Sequence, residues 1–163
     1  MKLMLAVSCV AAFAAVSLAE EPAMAPMHKM MTPAQIVWGP APPGLPAGSQ
    51  AAVLAGDPGK PGPFTIRIKA PAGFKVARHW HPSDERVTVV EGDFSLQMGE
   101  GAGEHSHTFA PGGYAVLPAH MQHVASTQGG VIVQVDSTGP FEINYVDPKD
   151  DPRNRMPAAT ANP

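Results

Sequence analysis

Proline and glycine punctuate this chain so often that no long amphipathic helix fits anywhere in it. The sequence holds 19 prolines and 16 glycines in 163 residues, and turn signals recur at intervals of roughly eight to twelve residues. Proline inside a helix removes a hydrogen bond and clashes with the preceding turn. The stretches between these breaks have a period of two. Phe64-Thr65-Ile66-Arg67-Ile68-Lys69 alternates apolar with polar, the mark of a half-buried strand. Phe94-Ser95-Leu96-Gln97-Met98 does the same; Phe94, Leu96 and Met98 are expected in the core, with Ser95 and Gln97 on the opposite face. Further short strands are expected at 35–38, 51–55, 74–81, 86–90, 114–117, 123–126, 131–135 and 141–145. Glu91-Gly92-Asp93 has the form of a hairpin turn, and 99–103 and the polar stretch at His105 and His107 read as loop. There is no internal repeat. The class is all-β, a sandwich or a barrel, in which closure removes exposed edges.

The ends differ from this body. Met1-Lys2 is followed by small and apolar residues to Leu18, and Ser17-Leu18-Ala19 is a small-x-small cleavage pattern. Residues 1–19 therefore read as a secretory signal peptide cut after Ala19; the run is short for a membrane anchor. Cys9 does not make it a lipoprotein, because the apolar run continues past it and no leucine lies three residues before. The mature chain is expected to be exported, periplasmic or secreted, and free of the membrane. Residues 20–33 form a Pro-broken arm, 34–147 the barrel, and 148–163 a polar, irregular tail. Met24, Met27, His28, Met30 and Met31 in the arm are soft ligands that suit copper, although an Ala/Met-rich arm without fixed spacing explains them equally. Cys9 is the chain's one cysteine, so the mature domain has no disulfide and no thiolate ligand or nucleophile. A formal charge of −3, unclustered, gives no footprint for nucleic acid.

Chemistry concentrates in the histidines. His79 and His81 stand two apart and share a face of any strand. Glu85 follows after Pro82, and Pro118-Ala119-His120-Met121-Gln122-His123 supplies more imidazole about forty residues on. Two solvated histidines on an edge strand are the ordinary explanation of His-x-His. Three buried imidazoles and a buried carboxylate are costly without an ion to satisfy them. A divalent metal removes that cost when the imidazoles are neutral and the carboxylate ionised.

Gly73-x5-His79-x-His81-x3-Glu85-x6-Gly92 resembles the first motif of the cupin superfamily, with every spacing kept. Gly112-x5-Pro118-x-His120-x2-His123 is similar to the second, with His120 in place of its glycine and Thr127 at its final asparagine position. The resemblance covers residues 73–127. It implies a small jelly-roll β-barrel with His79, His81, Glu85 and His123 as metal ligands. Glycine at position 120 would serve a tight turn, with positive φ tolerated by His only at a cost. His120 is then either a surface turn residue or an acid-base group near the metal mouth. His105 and His107 are expected to be solvated. Trp80 faces away from the metal, Arg78 and Arg86 point outward, and Tyr114 and Gln122 are candidate substrate contacts.

The mixed imidazole-carboxylate set favours a divalent Fe, Mn or Ni, with Zn or Cu as alternatives. The resemblance implies a dioxygenase-like oxidoreductase acting on a small-molecule substrate, with Glu85 as proton acceptor and His120 as a further acid-base candidate; lyase and isomerase chemistry occur on the same fold. The alternative is a non-enzymatic exported cupin that binds or senses a metal or small ligand. The resemblance implies that a homodimer can form through sheet edges; Ile36-Val37-Trp38 is a candidate edge, and burial in the core explains that segment equally.

Overall fold

The computed structural model describes residues 28–99 and 104–154. The expected signal peptide, most of the arm and the end of the tail lie outside these. Eleven strands follow one another: β1 (Gly39–Pro40), β2 (Gln50–Ala55), β3 (Gly62–Ala70), β4 (Lys75–Trp80), β5 (Glu85–Gly92), β6 (Phe94–Met98), β7 (His105–Phe109), β8 (Tyr114–Leu117), β9 (His123–Ser126), β10 (Val131–Gly139) and β11 (Asn144–Tyr145). They form a six-stranded sheet in the order β1-β2-β3-β10-β5-β8 and a five-stranded sheet in the order β11-β4-β9-β6-β7. Every pairing is antiparallel. The two sheets face each other across one apolar layer, as alternating strands require.

That layer follows the period-two pattern. Phe64, Ile66, Ile68 and Ala70 of β3, Val87 and Val89 of β5, and Val131, Val133 and Val135 of β10 are buried from one sheet. Phe94 and Leu96 of β6 are buried from the other, with Met98 half-buried at the end of the row. Each fully buried branched or aromatic side chain contributes about 1.5–3 kcal/mol.

Four local expectations are corrected. Residues 36–38 are not a strand: Pro33–Gln35 is a short 3-10 helix, Val37 is 85% exposed, and pairing begins only at Gly39. Proline at the first helical position turns the chain before it can reach the sheet. His105 and His107 lie not in a loop but in β7, opposite Met98 and Leu96. All but the last residue of that strand is exposed, so it lacks the alternation that would mark it. The tail begins with order, because Arg153 pairs with Asp151 and donates to the Ile143 carbonyl oxygen at 2.8 Å.

Glu91-Gly92-Asp93 is not a hairpin turn either. β5 and β6 belong to different sheets, and this tripeptide is the corner between them. Gly92 has φ +80°, and a Cβ there would run into the Gly130 carbonyl oxygen. The Asp93 carboxylate fixes the corner by accepting from the Gln128 and Gly129 backbone N–H groups, both at 2.8 Å. These bonds hold its carboxyl below the usual range. Gly92→Ala is expected to cost about 3 kcal/mol of stability, from left-handed strain plus the clash. Urea unfolding measures it; a loss under about 0.5 kcal/mol would show that the corner relaxes freely.

Candidate metal centre

A break in register aims the first two histidines. β4 pairs with β9 through Val76↔Ala125 and then His79↔His123, with the register shifting between Val76 and His79. Strict alternation would put Val76 and His79 on opposite faces, since they are three residues apart. The irregularity flips the phase, so Val76, His79 and His81 are all buried while Arg78 and Trp80 are not. His123 opens β9 beside His79, and their rings lie 4.2 Å apart. Glu85 is the first residue of β5 in the other sheet. The site therefore joins the two sheets.

All four side chains are buried, at 3, 4, 7 and 1% exposure for His79, His81, Glu85 and His123. Each imidazole has its Nδ1 against a backbone carbonyl: His79 on Ala77 at 2.8 Å, His81 on Glu142 at 2.7 Å and His123 on Met121 at 3.0 Å. A carbonyl oxygen has no proton to give, so each Nδ1 carries the hydrogen and each Nε2 keeps a bare lone pair. The three histidines offer ligand atoms within 4.8 Å of one another. Glu85 Oε2 stands 3.5 Å from His81 Nε2 and 3.6 Å from His123 Nε2. It thus closes the cluster against two of the three imidazoles. His81 Nε2 is buried and has no hydrogen-bond partner among the described residues. Phe141 stacks on the His81 ring with centroids 4.8 Å apart.

Charge is penalised throughout this cluster. Burial, then the neighbouring His123 and His81, drive His79 down to about 2. Burial also lowers His81 against its carbonyl bond, and lowers His123 against Glu85 and the Met121 carbonyl. Burial pushes the Glu85 carboxyl up, opposed by His123. Burial thus favours the neutral form of the three imidazoles and shifts the Glu85 carboxyl toward its protonated form. Convergent bare Nε2 atoms, one of them orphaned, and a carboxyl able to lose its proton suit a divalent first-row ion.

Beside the centre lies a cavity of about 60 Å³, walled by Phe74, Val76, Val87, Val133, Phe141 and Ile143 among others. Among the described residues no lysine or arginine lines it.

His120 is not brought into this cluster. It is exposed, its ring lies 4.9 Å from that of Trp80, and its φ is +65°, the one non-glycine residue with positive φ among those described. Its backbone N–H donates to the His81 carbonyl oxygen at 2.8 Å, so the turn is tied to the site through main chain. Trp80, expected to face away from the metal, is half-buried with His120 against its ring. Arg78 pairs with Glu104 at 2.8 Å and Arg86 lies 3.9 Å from Asp84. Tyr114 is 55% exposed on β8. The anchoring carbonyls of Ala77, Met121 and Glu142 had no signal in the sequence, because any residue carries one.

Residues 17–144 match the family described as "Domain of unknown function (DUF4437)". The chain belongs to that family. No curated protein matches it. Solved structures show the fold of this DUF4437 chain. The polyketide cyclase RemF from Streptomyces resistomycificus is similar with a TM-score of 0.63 and 18% identity, over 80% of this chain and 95% of that one. An RmlC-like cupin from Shewanella frigidimarina gives a TM-score of 0.54 and 17% identity, over 70% and 94%. Bacillus subtilis oxalate decarboxylase, a protein with Mn(II) centres, gives 0.51 and 15%, over 61% of this chain and 28% of that one. The architecture is the cupin jelly roll.

His81→Ala is expected to weaken divalent-metal binding at least ~100-fold and lower the melting temperature. His120→Gly should leave the affinity within about threefold. Calorimetric titration compares them; strong loss in the glycine variant with retention in the alanine variant would exchange their roles. The pH dependence has a determined sign. Between roughly pH 7 and pH 5 the unfolded imidazoles, at an ordinary 6.5, take up protons that the folded trio refuses. Their contribution is present above 6.5 and is lost as pH falls. Glu85, raised above 4.5, acts oppositely: its contribution is present below 4.5 and is lost as pH rises. Three groups outweigh one, so metal-free protein should melt at a lower temperature at pH 5 than at pH 7. Glu85→Gln should steepen the fall; a flat or rising profile would contradict the burial of neutral imidazoles.

Proposed function

We propose that this DUF4437 chain is an exported, metal-dependent enzyme acting on small molecules, with dioxygenase-like oxidoreductase chemistry as its specific activity. The observation that carries the reading is the set of three inward Nε2 lone pairs closed by Glu85 beside an apolar cavity. His79, His81, His123 and Glu85 would hold the ion, with iron, manganese or nickel favoured by the mixed donor set. A bound ion would polarise a substrate oxygen as a Lewis acid and orient the substrate.

The chain's own residues do the rest. The carbonyls of Ala77, Glu142 and Met121 hold the imidazoles in place and in one tautomer. The apolar wall excludes water around the reacting groups, which strengthens electrostatic interactions there. Glu85 can hold or accept a proton at Oε2, since burial raises its carboxyl above the ordinary value. The likeness to a polyketide cyclase and to oxalate decarboxylase, a protein with Mn(II) centres, supports an enzyme reading on this fold. Export rests on the leader pattern of residues 1–19.

The second reading is a binding protein for a metal or small ligand. The small cavity favours it, since about 60 Å³ is well under the roughly 150 Å³ that accepts a benzene ring. Protein purified without chelator or metal-carrying tag should contain near-stoichiometric iron, manganese or nickel. That form should consume dioxygen with a small chelating hydroxy-carbonyl substrate, and Glu85→Gln should slow uptake at least ~100-fold. Retained metal with no uptake across a substrate panel would favour the binding reading. No metal, and none gained on titration, would contradict the enzyme reading and the metal-binding form of the second.

A further inference from the structure

The five-stranded sheet carries a row of donors that runs past the buried centre to the surface. His79 is opposite His123, His123 is opposite Met98, and Met98 is opposite His105. Directly opposed residues project from the same face with Cβ atoms about 4.5–5.5 Å apart. Exposure rises along the row: His79 and His123 are buried, Met98 is half-buried and His105 is exposed. The first pair belongs to the metal centre. The second pair does not, and lines a separate surface cleft with Met121, Gln122, Val116 and Gly99.

Two thioethers and an imidazole thus meet in one cleft. Among the described residues no carboxylate lines it, and thioether with imidazole is a donor set for copper(I). Met121 is 38% exposed. Methionine has three rotatable bonds and a polarisable sulfur, so Met98 and Met121 can turn their sulfurs toward a common point. Gln122 Oε1 is buried without a hydrogen-bond partner among the described residues, an unmet polar need in the same wall. We propose that Met98, Met121 and His105 form a binding site for copper(I), distinct in donor type from the imidazole-carboxylate centre one strand away.

The test uses full-length chain with its buried centre first loaded with Mn(II), titrated anaerobically with copper(I) against a chromophoric copper(I) chelator. Copper X-ray absorption then reports sulfur neighbours. One equivalent of copper(I) with sulfur ligation is expected. Met98→Leu with His105→Gln removes one thioether and the imidazole and touches no residue of the imidazole-carboxylate centre. This double variant should retain Mn(II), showing an intact fold and centre, while its copper(I) affinity falls at least tenfold and the sulfur signal weakens. Unchanged sulfur ligation in the double variant would move the copper to the Met-rich segment 24–31 and overturn the proposal. Copper with nitrogen and oxygen neighbours only would place it at the buried centre and overturn it equally.

Discussion

Three backbone carbonyls decide what this protein is able to do. Those of Ala77, Met121 and Glu142 each take the Nδ1 hydrogen of one buried imidazole. A buried neutral imidazole needs a partner for each nitrogen. Once the carbonyls have claimed one side, the lone pairs on the other side face inward. The fold then holds a centre whose electrostatic needs are met by a cation, and whose carboxyl on the opposite sheet completes the set.

The sandwich exists to hold that geometry. His79 and His123 come from neighbouring strands of the five-stranded sheet, His81 follows the end of the first of these, and Glu85 is the first residue of a strand in the other sheet. An ion bound by all four would tie the sheets together where the apolar layer gives way to polar groups. No residue of 20–163 is a cysteine that could make the same link covalently. Phe141 reinforces the arrangement by stacking on His81 and meeting Phe64 edge-on at 5.3 Å.

Much of this was legible in the residues. The alternation of 64–69 and 94–98 marked half-buried strands, and the spacing of His79, His81, Glu85 and His123 marked the side chains that the fold gathers. Other features left no trace. The register shift ahead of His79 alters which face the strand presents without altering composition, so simple alternation from Val76 would have turned both histidines outward. The corner at Gly92 uses the residues of a hairpin turn, and only the pairing of β6 with β7 and β9 distinguishes the two. β7 is exposed along nearly its whole length and shows no pattern to read. Glu142, 61 residues beyond His81, contributes only its main chain. The positive φ at His120 was foreseeable, because the related motif places glycine there.

The most direct measurement of the central claim is the tautomeric state of the three imidazoles in metal-free protein, by long-range proton–nitrogen NMR of histidine-labelled chain near pH 7. The account predicts that His79, His81 and His123 are all neutral with the hydrogen on Nδ1, and that the Nε2 resonances shift when a divalent ion is added. Hydrogen on Nε2, or a charged imidazolium, at any of the three would contradict it.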